Sequence, residues 1–271
     1  METNELIVTD LDTGYSYEAL LRNAVEYAML SIPFTFDRMG IRDLNKKILN
    51  IAKGKFAENI LAFFLTSKGI AVDRQTTSTP FYQSDNKDFV LNNFEWDIKN
   101  NYLSHDRDML DPQEYLDLLA LIPNRGEWDQ WGKREKTFFP NSSGTAYVFT
   151  FMKKSNRNER NDFFDIKYSF EQELFIRDLY ERFQGKHQLN SPYEEGWFWQ
   201  LFREKGGDFG INFRSKPQMI ITGLAFKDDF SKFKHYKPSQ ISSPYIRTII
   251  PNMGVQVEQL QSFKSYMNNH V

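Results

Sequence analysis

The residues that could do chemistry lie on one predicted hairpin. Residues 94–100 read Phe-Glu-Trp-Asp-Ile-Lys-Asn. Because successive side chains of a β-strand point to opposite faces, a strand here would place Asp97 and Lys99 on one face and Ile98 on the other. A further acid, Asp88, lies nine residues before Asp97. An acid, a turn and then Asp-x-Lys on a strand form a layout that can hold a divalent metal ion beside a phosphodiester.

Two short apolar runs predict the hairpin itself. Phe89–Leu91 and Phe94–Lys99 are separated by Asn92-Asn93, and Asn-rich pairs favour a tight two-residue turn. Such a hairpin would bring the first acid towards the Asp-x-Lys triplet. Glu95 shares the predicted face of the triplet, and we interpret it as a flanking residue.

A long helix is predicted before the hairpin, from near Asp43 to Ser67, with Gly69 as its stop. Its residues Glu58, Leu61 and Leu65 share one face by helical spacing. An acid on a mostly apolar face is costly to bury unless it is paired or binds a metal. Glu58 is therefore a further candidate for the site.

Asp-x-Lys triplets are common, and this chain has three, at 85–87, 97–99 and 165–167. The first lies in a polar loop that does not fix its geometry. The third could lie on a strand, but its nearest upstream acid, Asp162, is too close for a separate strand and turn. Only the triplet at 97–99 has an acid, a turn and an alternating strand around it.

The rest of the chain predicts a mixed order of helices and strands. The predicted helices cover residues 15–30, 113–121, 170–183 and 257–267. The predicted strands cover residues 70–72, 146–152, 218–226 and 247–257. This order favours an α/β fold in which a mixed sheet has helices on its faces.

Composition excludes several classes of site. The chain of 271 residues has no Cys, which removes disulfides, thiolate zinc sites and cysteine nucleophiles. Its four His are scattered along the sequence. No apolar run approaches the roughly 20 residues needed to cross a bilayer, and the acidic N-terminus is wrong for a signal peptide. We therefore expect a cytoplasmic, intracellular protein with no membrane partner.

The net charge of −2 conceals an uneven distribution, since residues 1–40 hold seven acidic and two basic residues. A protein that binds a polyanion needs a local basic surface rather than a basic total. Two basic segments are candidate DNA contacts, although ordinary solvated loops would have the same composition. They comprise Lys153, Lys154, Arg157 and Arg160 in the first, and Lys232, Lys234 and Lys237 in the second.

The helix, the first acid and the triplet together resemble the PD-(D/E)XK nuclease superfamily. The resemblance covers about residues 54–99, and the residues that carry it are Glu58, Asp88, Asp97 and Lys99. The family's Pro before the first Asp is absent, because Lys87 stands there. The later predicted strands are compatible with the family but carry no diagnostic residue.

The resemblance implies an α/β fold of the restriction-endonuclease-like type, with a mixed β-sheet core flanked by helices and with N-terminal helical and internal insertions. The chain would be a single nuclease domain over 1–271. Its predicted parts are an N-terminal helical extension (1–40), a catalytic core (41–154), an insertion (155–217) and the end of the core (218–271).

The resemblance also implies roles for the site residues. Asp88 and Asp97 would bind one or two Mg²⁺ ions, helped by the backbone carbonyl of Ile98. Hard oxygen ligands suit this cation. Lys99 would orient the attacking water and offset charge on the phosphate. Glu58 would hold a water of the ion or a second ion.

The implied activity is Mg²⁺-dependent hydrolysis of double-stranded DNA, most like that of a type II restriction endonuclease acting as a homodimer. Three alternatives stay open. The chain could be a repair, recombination or phage-defence nuclease on the same fold, a DNA-binding module without catalysis, or a scaffold for protein interactions.

Overall fold

A computed structural model describes residues 5–9, 14–36, 41–83, 87–123, 145–215 and 218–270. Their strands and helices, in chain order, are β1 (Ile7–Thr9), α1 (Gly14–Ser31), α2 (Leu44–Ser67), β2 (Phe89–Leu91), β3 (Phe94–Ser104), α3 (Pro112–Leu116), β4 (Leu119–Pro123), β5 (Thr145–Ser155), β6 (Phe164–Lys167), α4 (Phe170–Phe183), α5 (Glu195–Glu204), β7 (Gly210–Phe213), β8 (Met219–Phe226), β9 (Lys234–Tyr236), β10 (Asn252–Gln256) and α6 (Phe263–His270). Short 3₁₀ turns occupy Ile32–Phe34, Lys227–Lys232, Pro238–Gln240 and Val257–Gln259.

The main sheet has five strands in the order β1-β8-β5-β3-β2. Strands β3 and β5 are parallel, and the other neighbours are antiparallel. A three-stranded sheet, β4-β10-β9, and a two-stranded sheet, β6-β7, complete the described strands. The prediction of an α/β fold with a mixed sheet flanked by helices is confirmed.

Apolar side chains are buried on both faces of the main sheet. One face packs against α1 and α2 and holds Trp96 and Ile98. The other face packs against α3 and the three-stranded sheet and holds Tyr147 and Phe149. Strand β5 alternates between the two cores and is apolar almost throughout, as expected for a strand covered on both faces.

Helix α2 lies as predicted, and local signals explain both of its ends. The carboxylate of Asp43 accepts a hydrogen bond from the N–H of Lys46 (3.2 Å) and so caps the first turn. Gly69 follows the last turn with φ of +79°, a conformation that favours glycine. Buried residues such as Phe56 and Ile60 fix the helix against the sheet.

Two predicted elements are wrong, and the closing helix predicted over 257–267 begins only at Phe263, after a 3₁₀ turn at Val257–Gln259. Ile70–Val72 forms no strand, and only the next residue, Asp73, makes an isolated bridge to Val90. The predicted helix over 113–121 ends at Leu116, because the apolar residues that follow it pair with β10 instead. This pairing joins segments about 130 positions apart, so local periodicity does not reveal it.

The predicted division of the chain into an extension, a core and an insertion stays a prediction. Helix α1 packs on α2 with Leu21 and Ala28 fully buried, in the same core as Phe56. Residues 124–144, which fall within the predicted catalytic core, lie outside the described residues, as do Asp85 and Asn86. No described helix combines the length and apolarity required to span a membrane.

Candidate active site

The hairpin of β2 and β3 fixes the relative position of the two aspartates. Asn92 and Asn93 both have positive φ (52° and 62°), as a tight hairpin turn requires. The strands pair Phe89 with Trp96, and the N–H of Asp88 donates to the Trp96 carbonyl (2.9 Å). The pairing therefore continues to Asp88 and brings it beside the Asp-x-Lys triplet, as predicted.

The turn gives a stability prediction. Asn92→Val is expected to lower the free energy of unfolding by about 1–2 kcal/mol, because a β-branched residue tolerates positive φ poorly. Asn93→Gly is the matched control and should not lower it, since Asn-Gly is a preferred pair in such turns. Urea denaturation followed by circular dichroism measures both changes. Equal effects of the two substitutions would contradict this account of the turn.

The Asp88 carboxylate is held at the backbone of β3. Its Oδ2 accepts a hydrogen bond from the N–H of Ile98 (2.5 Å). The N–H and C=O of one strand residue point to the same side of the strand. The Ile98 carbonyl therefore points to the side of β3 on which Asp88 lies. This is the direction needed for the carbonyl and Asp88 to bind the same metal ion.

The pKa of Asp88 is raised well above its ordinary value, mainly by burial. The negative charges of Glu58 and Asp97 raise it further. The hydrogen bond from Ile98 and the positive charge of Lys99 lower it again in part. The charges of Glu58, Asp97 and Lys99 therefore all influence the protonation of Asp88.

Asp97 and Lys99 form an ion pair on the face of the sheet opposite α2. Lys99 Nζ lies 2.5 Å from Asp97 Oδ1, and Asp97 is only 5 % exposed. The same ammonium lies 5.4 Å from the ring centroid of Tyr147, a fully buried side chain of β5. The parallel register places Tyr147 directly beside Asp97.

Glu58 reaches the site from the other face. It pairs with Lys55 one turn earlier on α2, with Nζ and Oε2 2.6 Å apart. Lys55 also lies 4.7 Å from the ring centroid of Tyr27 on α1. This ion pair explains how an acid is accommodated on a largely apolar helix face.

A cavity of about 340 Å³ lies at Lys99. It borders the edge of β3 beyond the short partner strand β2, whose pairing covers only the first three residues of β3. The lining side chains come from both layers of the molecule and include Thr35, Phe36, Lys47, Asn50, Lys99, Pro123 and Ile250. The site is therefore adjacent to a recess with aromatic, amide and cationic groups.

The donor set at the hairpin fits Mg²⁺ by its chemistry. Two carboxylates and one backbone carbonyl are hard oxygen ligands, and this ion commonly uses one or two carboxylates and keeps several waters. A cation there would also relieve the repulsion that raises the pKa of Asp88. Within the described ranges, no three Asp, Glu or His side chains converge as ligands of a single ion.

The first predicted DNA-contact group lies at the far end of the strand from Asp97. Lys153 is paired with Leu103, six positions beyond Asp97 on β3, which at about 3.3 Å per residue is a separation of about 20 Å. Its Nζ donates to the Arg107 carbonyl (2.7 Å), and Lys154 lies 3.8 Å from Asp162. Arg157 and Arg160 follow in the exposed loop after β5.

The second predicted group lies nearer the recess. Lys234 is exposed on β9, whose neighbour β10 begins at Asn252. Asn252 pairs with Pro123, one of the residues that line the recess. Lys237 directly follows β9 and is exposed, whereas Lys232 pairs with Asp229 (2.9 Å).

Two aromatic residues near these lysines, Phe230 and Phe233, belong to the core. Phe233 is 7 % exposed, and Phe230 packs edge-on against Tyr147 with ring centroids 5.6 Å apart. Phe198 and Phe202 on α5 are fully buried as well. These rings are not placed to stack on bases.

The other triplet that the structure describes has a different setting. Asp165 and Lys167 lie on β6, in the two-stranded sheet. The carboxylate of Asp165 pairs with Arg214 (3.6 Å), and Lys167 is exposed. This triplet is a natural internal control for the one at 97–99.

Sequence reasoning missed two neighbours of the site. Lys55 could have been found, because Lys-x-x-Glu spacing places the two side chains on one helix face. Tyr147 could not, because its position depends on the parallel pairing of β3 with β5 across an intervening 40 residues.

No family model, curated protein or solved structure matches this chain.

Proposed function

We propose that this chain is a Mg²⁺-dependent DNA endonuclease that hydrolyses phosphodiester bonds, with a restriction-endonuclease-like fold. The observation that carries the proposal is the position of Asp88. Its carboxylate is held by the Ile98 N–H, and the charges of Glu58, Asp97 and Lys99 all act on it. Burying carboxylates close together lowers stability unless a cation binds them. An ordinary surface strand would gain nothing from this arrangement, whereas a metal site requires it.

The acids supply the metal-binding part of the proposal. Asp88, Asp97 and the Ile98 carbonyl would hold Mg²⁺. The ion when bound favours deprotonation of water at neutral pH and offsets negative charge on the phosphate. Glu58 would orient water from the α2 side, where Lys55 fixes its carboxylate.

Lys99 supplies a cation that belongs to the chain itself. During hydrolysis a water oxygen bonds to phosphorus, the phosphorus–ester bond breaks, and the departing oxygen takes a proton. Negative charge grows on the phosphoryl oxygens during this step. The Lys99 ammonium, already fixed between Asp97 and the ring of Tyr147, would offset that charge and help orient the water.

Within this class, a type II restriction endonuclease acting on double-stranded DNA inside the cell is the function that we favour. The core of this superfamily needs about half of the chain, which leaves the remainder for sequence reading and for contacts between subunits. Cutting both strands of a duplex favours a two-fold homodimer. Lys234 and Lys237 are the better-placed basic residues for contact with DNA beside the recess.

A direct assay tests this proposal. Purified protein is incubated with Mg²⁺ and DNA of varied sequence, with EDTA as the control. We expect discrete fragments that recur on one DNA sequence and disappear with EDTA. Preference for branched or single-stranded DNA would instead support a repair or recombination nuclease, and absence of cleavage on every substrate would contradict the proposal.

A further inference from the structure

Lys87 lies beside the site in a position that the sequence motif does not assign to a lysine. It directly precedes Asp88, and its Nζ is 5.9 Å from the ring centroid of Tyr147. Lys99 Nζ is 5.4 Å from the same centroid. One buried ring of β5 therefore has two ammonium groups within 6 Å of its centre.

The ring provides a rigid support for both cations. Tyr147 is fully buried and packs against Phe149 and Phe230. An ammonium within about 6 Å of a ring centroid is attracted to the negative face of the ring. The two ammonium groups therefore share one rigid aromatic support beside the hairpin.

The charges around Asp88 separate the roles of the two lysines. Lys99 is paired with Asp97 and lowers the pKa of Asp88, so its ammonium belongs to the carboxylate cluster. Lys87 directly precedes Asp88 at the entry to β2, and its ammonium lies near the same ring of Tyr147 as that of Lys99. A DNA strand carries a negative charge at every nucleotide, so a cut strand presents further phosphates beside the scissile one.

We propose that Lys87 binds a phosphate of the strand that is cut, beside the one at Lys99. This inference rests on the proposed nuclease function. It makes Lys87 a substrate-binding residue that does not act in the chemical step. A lysine suits this role, because an ammonium on a flexible stem contacts phosphate as a point charge.

The test compares Lys87→Gln and Lys87→Arg with Lys167→Gln, an exposed lysine of β6. The probe is a duplex oligonucleotide that contains a cleaved sequence. Loss of one charge-assisted contact is expected to raise KM about 10-fold with kcat nearly unchanged. The salt dependence of duplex binding without divalent metal should weaken by about one unit of slope. Lys87→Arg should restore both values, and Lys167→Gln should match the wild type.

Two results would overturn the inference. Lys87→Gln could match Lys167→Gln in both KM and salt slope, or it could lower kcat with KM unchanged, which would place Lys87 in the chemical step. Failure of the nuclease proposal is seen separately. In that case the wild type does not cut, while the salt slope of duplex binding still reports whether Lys87 contacts phosphate.

Discussion

Asp88→Asn is expected to stabilise the metal-free protein and to abolish cleavage. The substitution keeps an oxygen to accept the Ile98 N–H and removes a carboxylate that Glu58 and Asp97 repel. We expect a gain of about 0.5–2 kcal/mol, the usual range for a stabilising single change. Thermal unfolding in EDTA at neutral pH measures it. Most substitutions at partly buried sites lower the free energy of unfolding. An increase on Asp88→Asn would therefore indicate that the Asp88 carboxylate is destabilising in the metal-free protein.

The pH dependence provides a second readout. Because the pKa of Asp88 is raised in the folded protein, the folded state binds a proton at pH values where the unfolded chain does not. Stability must then fall as pH rises from the ordinary Asp value, about 4, through the raised pKa. The wild type should lose stability relative to Asp88→Asn across this window, in the absence of metal. A difference between the two proteins that does not change with pH would contradict the raised pKa.

Lys99→Ala is expected to lower the single-turnover cleavage rate by about 10³-fold, because the cation that offsets charge on the phosphate is lost. Lys99 is not a metal ligand in this account. The increase in thermal stability on adding Mg²⁺ should therefore persist in the variant. Lys167→Ala is the matched control and should cut at the wild-type rate.

The two readouts separate chemistry from folding and metal binding. A variant that has lost cleavage and also the response to Mg²⁺ would place Lys99 among the groups that organise the ion. If Lys99→Ala cuts as fast as Lys167→Ala, Lys99 has no role in cleavage and its assignment to the site is wrong.

The hairpin was predictable because its signals are local. Asn92 and Asn93 specify a tight turn, and a tight turn fixes which residues of β2 and β3 face each other. The alternation after the turn then assigns Asp97 and Lys99 to one face. Glu58 followed from helical spacing within α2 alone. Asp88, Asp97 and Lys99 could therefore be placed together from local signals. The approach of Glu58 to them was implied by the resemblance and requires α2 to pack against the sheet.

Other features depend on distant pairing and were not predictable in the same way. Strand β4 forms because it pairs with β10, and its sequence alone favoured a helix. Tyr147 meets Lys99 because β5 runs parallel to β3. The basic loop after β5 was a reasonable candidate for DNA contact by composition. The distance of this loop from Asp97 depends on the direction in which β5 runs beside β3, and amino-acid composition does not reveal that direction.

The central claim is that the acids of this hairpin bind Mg²⁺ for phosphodiester hydrolysis. The most direct measurement is Mg²⁺-dependent DNA cleavage by Asp97→Asn, beside Asp165→Asn from the other triplet on a strand. Loss of a group that hydrogen-bonds to a metal ligand typically costs about 10–100-fold in affinity or activity, so loss of a direct ligand should cost at least about 100-fold. We predict that Asp97→Asn falls by at least this factor while Asp165→Asn matches the wild type. Equal cleavage by the two variants would contradict the claim.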